Sequence, residues 1–291
     1  MSDRRSTPVH PLRLGIIGHP ISHSLSPVLH ETALRRVGLE GSYRAFDVPP
    51  EKLPQTIDDL RRTGIDGFNV TLPHKESIAG LLDEVDSRAT AIGAVNTVRN
   101  DHGRLIGTNT DIDGVIATLR PIAEMLRESQ VLILGAGGGA RAVLAALLQE
   151  FHPASVVIAA RRAASVERLL SDRIFSPTRV EAVAWEIPDL RRAVTDSTLL
   201  VNCTPVGMHP SISECPLSPD IPLPPRIAVF DLIYRPLRTA LLNRAAASGC
   251  LTLSGLDMLL HQGARAFRLW TGTDMPMAAV RERMVALLAQ E

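Results

Sequence analysis

The apolar run Val131-Leu132-Ile133-Leu134 passes directly into Gly135-Ala136-Gly137-Gly138-Gly139-Ala140, and an apolar helical pattern follows over residues 142–149. No other stretch restricts the fold as strongly. A continuous apolar run bounded in this way reads as a strand buried on both faces, the mark of a parallel sheet. The six residues after it fit G-x-G-x-x-G/A. The first glycine makes a tight turn, the second admits a pyrophosphate close to the backbone, and the small third position lets helix and strand pack closely. The helix N-terminus then offers its N–H groups to phosphate charge. Gly135, Ala136, Gly137, Gly138, Gly139 and Ala140 are therefore expected to cradle a dinucleotide. A merely structural turn is the alternative.

The end of the next strand bears on which dinucleotide. An NAD site asks for Asp or Glu about 20 residues further on, to bind the ribose 2′-hydroxyl. Here the strand ends Ile158-Ala159-Ala160-Arg161-Arg162, with no acid and two guanidiniums. Guanidinium pairs well with phosphate, so Ala160, Arg161 and Arg162 favour NADP over NAD.

Further buried runs over residues 156–160, 199–201 and 227–232 read as a parallel sheet with crossover helices. A helix over residues 113–128 leads into it. The first third alternates differently: strands over 12–18, 42–48 and 67–72, helices over 27–37 and 54–63. Ser26 is the expected N-cap of the first helix and Pro27 its first residue. Such alternation implies a second α/β layered domain. Residues 216–225 read as a Pro-rich surface loop or lid, and residues 256–270 and 277–290 as two terminal helices.

Composition removes several classes. The chain has 291 residues, enough for about two domains. With 45% hydrophobic and 21% charged residues it is not a disordered chain. Acidic and basic residues balance at 31 each and aromatics reach only 3%, so the basic, stacking surface of a nucleic-acid binder is not expected. No apolar stretch approaches a membrane span, and residues 1–11 carry no secretory h-region. Cys203, Cys215 and Cys250 form neither a disulfide framework nor a zinc pattern. A cytoplasmic location and no metal are expected. Only two of the 31 basic residues, Lys52 and Lys75, are lysines. Lysine can titrate where arginine stays protonated, which draws attention to Lys75; Lys52, in a polar Pro-rich turn, reads as a solvated surface residue.

Four polar motifs sit where strands meet loops in the first domain. They are Ser22-His23-Ser24-Leu25-Ser26-Pro27, Asn69-Val70-Thr71-Leu72-Pro73-His74-Lys75, Gly93-Ala94-Val95-Asn96-Thr97 and Thr108-Asn109-Thr110-Asp111. Hydroxyls and amides can both donate and accept to a polyhydroxylated ligand. Four such clusters exceed what capping requires, although each singly could be a cap or turn. Trp185, Trp270 and Cys203 read as packing residues, and His19, His23 and His74 as surface or supporting residues.

Taken in order, these motifs resemble the shikimate dehydrogenase family over nearly the whole chain. Its carriers are Ser24-x-Ser26, N-V-T-x-P-x-K ending at Lys75, A-V-N-T around Asn96, N-T-D ending at Asp111, GAGGGAR ending at Arg141, Asn202-Cys203-Thr204, and L-D-M-L-L-H-Q-G-A-R-A-F from Leu256 to Phe267. The resemblance implies Lys75 and Asp111 as the catalytic pair. It implies Ser24, Ser26, Asn69, Thr71, Asn96, Tyr234 and Gln262 as further substrate ligands. Arg141, Thr204, Gly255 and Met258 are implied on the cofactor side. Many NADP-dependent members carry Asn-Arg-Thr where this chain has Ala160-Arg161-Arg162, which leaves the strictness of NADP preference open. The Ser-x-Ser pair is the form associated with shikimate rather than quinate.

The expectation is thus a two-domain α/β protein. A substrate-binding domain comprises residues 1–113 plus 255–291, and a Rossmann-type NADP-binding domain comprises residues 114–254, with the active site in a cleft between them. The expected reaction is reversible NADP-linked interconversion of 3-dehydroshikimate and shikimate, by a monomer or homodimer. A hydride reduction also needs a proton for the developing alkoxide. Lys75 can transfer that proton or chiefly polarise the carbonyl. A quinate or aminoshikimate paralogue is the alternative, and a non-catalytic metabolite sensor a remote one.

Overall fold

The computed structural model describes residues 10–171 and 180–290. The chain divides into two compact units, residues 1–113 with 260–287 and residues 114–259 with 288–291. The first turn of the helix Gly255–Thr271 thus belongs with the second unit rather than the first.

The first unit is built on a six-stranded mixed sheet. Its strands are β1 (Leu12–Gly18), β2 (Gly41–Asp47), β3 (Gly67–Val70), β4 (Glu84–Val85), β5 (Thr97–Asp101) and β6 (Arg104–Thr108), in the order β2-β1-β3-β5-β6-β4. β1 runs parallel to β2 and β3, whereas β5 runs antiparallel to β3 and β6. One edge therefore gathers the C-terminal ends of β1, β3 and β6 and the N-terminal end of β5. Asn69 pairs with Thr97, and Thr97 with Thr108, across that edge. Ile17, Leu53, Ile57, Phe68, Val98 and Leu105 are among the core residues on one face. At Gly67 an added Cβ would overlap the Trp270 indole, whose Nε1–H donates to the Val98 carbonyl at 2.9 Å.

The second unit is a six-stranded parallel sheet. Its strands are β7 (Gln130–Leu134), β8 (Ser155–Ala159), β9 (Val180–Val183), β10 (Leu199–Asn202), β11 (Ala228–Asp231) and β12 (Leu251–Ser254). The order β12-β11-β10-β7-β8-β9 is that of the doubly wound dinucleotide fold, with strand order reversing between β7 and β10. Val131 to Leu134 are fully buried, as a two-faced strand requires.

Two local expectations are corrected. Ser26 is not the N-cap of its helix. The helix spans Ser26–Val37 with Leu25 at the cap position and no side-chain cap, while Ser24 Oγ accepts from the Ser26 N–H at 3.3 Å. The continuous helix expected over 113–128 is broken. A helix covers Asp111–Leu119, Pro121 falls in a 3-10 turn over Arg120–Ile122, and a short helix follows at Ala123–Leu126, because proline cannot supply the N–H that an uninterrupted helix needs.

Candidate active site

The gathered edge of the first unit brings the four polar motifs together. Lys75, in the loop after β3, places Nζ 2.6 Å from Asp111 Oδ2. Asp111 opens the helix after β6, and its other oxygen accepts from Asn96 Nδ2 at 2.8 Å. Asn96 also donates to Thr110 Oγ1 at 3.1 Å, and its Oδ1 accepts from the Thr110 N–H at 2.7 Å. Gln262 Oε1, from the helix Gly255–Thr271, lies 3.5 Å from both Asn96 Nδ2 and Thr110 Oγ1. The Lys75 side chain keeps 19% of its exposure and that of Asp111 10%. An ammonium has three N–H groups, and Asp111 is the only partner of the Lys75 ammonium among the described residues. Two remain for a ligand oxygen.

Asn69 is more committed. Its Oδ1 accepts from the buried Tyr43 hydroxyl at 2.7 Å, and its Nδ2 donates to the Asn96 carbonyl at 3.2 Å and to Thr97 Oγ1 at 3.1 Å. The amide thus braces Asn96 as well as lying among the candidate ligands. Ser26 is buried, and burial pushes the Tyr43 phenol up. Tyr43 stacks on His30 with ring centroids 4.5 Å apart, and burial lowers the His30 imidazole to about 3, so it is neutral. Ser24 and Thr71 are half-buried beside the same edge. His74 is buried and its Nε2 meets the Val48 carbonyl at 2.6 Å, which ties down the loop that carries Lys75. His19 and His23 are exposed, His19 beside Asp47.

In the second unit the glycine run lies after β7, at the point of strand-order reversal. Gly135 has φ of +100°, and an added Cβ would come within 3.1 Å of the Cys203 carbonyl. Ala140 is fully buried in the first turn of the helix Gly138–Ala146. Gly137 occupies the cap of that helix, with no side-chain cap, and an added Cβ there would meet nothing within 4 Å. The backbone at Gly137 thus leaves room beside the helix N-terminus, whose first-turn N–H groups have no partner within the helix, as a pyrophosphate cradle demands. Arg161 and Arg162 are exposed just beyond β8, Ala160 is half-buried and Arg141 is buried. Thr204 and Tyr234 are half-buried, in the loops after β10 and β11, and burial pushes the Tyr234 phenol up. Gly255 and Met258 are buried in the first turn of their helix. Burial and the Asp231 charge raise the Cys203 thiol, which keeps it protonated and unreactive. Among the described residues no group of three or more His, Cys, Asp or Glu could hold a metal, and no helix is long and apolar enough to cross a membrane.

Sequence reasoning does not mark Tyr43, Asn202, Asp231 or Thr239 as site residues. Tyr43 looks like any strand residue until its hydroxyl is seen on Asn69. Asp231 stands in the motif Asp231-Leu232-Ile233-Tyr234, and an acid ending a buried strand is a usable signal.

Residues 16–98 match the shikimate dehydrogenase substrate binding domain, and residues 255–285 the shikimate 5′-dehydrogenase C-terminal domain. A shikimate dehydrogenase (NADP(+)) of Symbiobacterium thermophilum is 42% identical over 99% of each chain. The chain belongs to the shikimate dehydrogenase family. The crystal structure of shikimate 5-dehydrogenase from Thermus thermophilus in complex with NADP(H) and shikimate is 40% identical, covers 94% of this chain and 99% of its own, and superposes with a TM-score of 0.83. Quinate dehydrogenase from Corynebacterium glutamicum in complex with NAD is 30% identical, covers 95% and 99%, and has a TM-score of 0.87. Shikimate dehydrogenase relatives thus match this chain in both units.

Proposed function

We propose that the protein is an NADP-dependent shikimate dehydrogenase, which reduces 3-dehydroshikimate reversibly to shikimate. The observation that carries this reading is the Lys75–Asp111 contact at 2.6 Å, set within the Asn96, Thr110 and Gln262 network. Ser24, Ser26, Asn69, Thr71, Asn96, Tyr234 and Gln262 bind the substrate carboxylate and ring hydroxyls. NADPH, when bound, would supply the hydride for the reduction, and NADP+ would take it back in the oxidative direction. Gly135 to Arg141 hold its pyrophosphate, Arg161 and Arg162 its 2′-phosphate, and Thr204, Gly255 and Met258 line the nicotinamide side.

Lys75 directs N–H groups at the carbonyl oxygen and stabilises the charge that develops there. It then gives that oxygen its proton, and takes one back in the oxidative direction. Asp111 orients the ammonium, and Asn96 fixes Asp111 in turn. The substrate is a small molecule, and nucleic acid and membrane are not partners. The enzyme acts in the cytoplasm, as a monomer or homodimer, in aromatic amino-acid biosynthesis.

Initial rates at 340 nm with shikimate and quinate, each paired with NADP and NAD, test this reading. A specificity constant for shikimate with NADP at least a hundredfold above the other pairs is the expected result. Faster quinate oxidation, or equal use of NAD, would replace it with the quinate reading. No turnover with any pair would reject both.

A further inference from the structure

Asp231 ends β11 with 0% of its surface exposed. Its Oδ1 accepts from Asn202 Nδ2 at 3.0 Å and from the Ile233 N–H at 3.1 Å, and its Oδ2 from the Thr239 hydroxyl at 2.7 Å. A carboxylate taken out of water is tolerated only where donors replace the water. Here three neutral donors do so, each from a different segment. Asn202 ends β10 in register with Asp231, Ile233 lies in the turn after β11, and Thr239 caps the helix Ala240–Ala247 by accepting from the Leu242 N–H.

Two of the three donors lead to residues of the candidate cofactor site, and the third, Thr239, ties the carboxylate to the start of a helix. Asn202 Oδ1 accepts from the Thr204 N–H at 3.0 Å and from its hydroxyl at 2.7 Å, and Thr204 Oγ1 accepts from the Val206 N–H at 3.2 Å. The turn holding Ile233 presents Leu232 to both glycine contacts. A Cβ on Gly255 would overlap the Leu232 carbonyl, and one on Gly139 would come within 2.9 Å of its side chain. Tyr234 follows directly. One carboxylate thus fixes Thr204, Leu232 and Tyr234 at once, and through Leu232 the spacing to Gly139 and Gly255.

We propose that Asp231 is the positioning residue that sets the cofactor-side loops, and that Thr239 is its partner in doing so. This rests on the dinucleotide reading of the second unit. Asp231 touches neither reacting atoms nor phosphate; it acts by holding Thr204 and the Leu232–Tyr234 turn in one arrangement, so that a dinucleotide finds its contacts formed. Without it, part of the binding energy goes into ordering those loops.

The test measures the NADPH dissociation constant by fluorescence titration, and the melting temperature, for the full chain and for Asp231→Ala, Thr239→Val and Thr239→Ser. Asp231→Ala strands three donors, and Thr239→Val removes one hydroxyl at constant shape. Both are expected to weaken NADPH at least tenfold, with kcat at saturating NADPH falling less than the affinity. Thr239→Ser keeps the hydroxyl and is expected to stay within twofold. NADPH affinity unchanged in Thr239→Val while its melting temperature drops would overturn the assignment, since a purely structural role predicts that. Where Asp231→Ala does not fold, the valine and serine pair decides. Failure of the unmodified chain to bind NADPH would instead overturn the function on which the inference rests.

Discussion

Lys75 and Asp111 meet through one carboxylate oxygen only, at 2.6 Å, while the other oxygen is held by Asn96 at 2.8 Å. The carboxylate is therefore clamped from the side away from the lysine, which leaves the ammonium oriented but not enclosed. Replacing Lys75 by Ala is expected to lower kcat by about 10²- to 10⁴-fold, the usual worth of a positioned acid–base group. The shikimate KM should change far less. Lys75→Arg should not restore the rate, because guanidinium does not release its proton. Steady-state kinetics in both directions check this, and a rate within tenfold of the parent would remove Lys75 from the proton step.

Gly137 offers a separation of binding from folding. A methyl group there meets no protein atom within 4 Å, and its φ of −92° is open to any residue. Gly137→Ala is expected to leave the melting temperature within about 1 °C while weakening NADPH at least tenfold, because the methyl fills the space a pyrophosphate needs. Titration with NADPH beside a thermal scan reads both. Unchanged affinity would show that the glycine run is only a turn.

Arg161 is exposed after β8. A charge-assisted contact to phosphate contributes roughly 1.5–3 kcal/mol, so Arg161→Ala should raise the NADP KM about 10- to 150-fold. The NAD KM should stay within threefold. Parallel losses for both cofactors would show that Arg161 does not read the 2′-phosphate.

The strands legible in the sequence are those whose physics is local. β1, β7 and β8 are apolar runs long enough to stand out, and the glycine run after β7 specifies its own turn. The short strands β4, β9 and β12 are not legible. Glu84–Val85 is two residues long, and β9 and β12 expose part of their side chains, so neither length nor alternation marks them. The site follows the same division. Lys75, Asn96 and Asp111 stand in dense polar motifs that draw notice in the bare sequence. Tyr43 and Thr239 act through partners 26 and 8 residues away, and nothing adjacent to them in the chain announces it.

Tyr43 supports the site from below, and its removal should be felt as stability. Tyr43→Phe keeps the stack on His30 but leaves Asn69 Oδ1 without its buried donor. The expected loss is about 1–3 kcal/mol, seen as a melting temperature several degrees lower. An unchanged melting temperature would mean that Asn69 finds another donor.

Asp231 gives a pH signature of definite sign. Burial raises its carboxyl from 3.8 to about 6 in the folded protein. Between those values the folded chain keeps a proton that the unfolded chain has released, so the stability due to this group falls as pH rises from about 4 to about 6. The span bounds the effect at roughly 3 kcal/mol. Asp231→Asn lacks the titration, and its Thr239 partner can turn its hydroxyl to accept. The stability difference should therefore shift in favour of the variant as pH rises through that window. Parallel melting profiles for the two proteins between pH 4 and 7 would contradict it.

The scarcity of lysine gives Lys75 a second use. Side-chain amines occur at two positions in the sequence, the exposed Lys52 and the half-buried Lys75 beside Asp111. An acylating reagent therefore writes its side-chain result in two peptides. Lys52 records how much reagent the protein met, and Lys75 records how often the polar edge was open to it. The ratio of the two, followed by mass as a ligand is added, measures occupancy without any turnover.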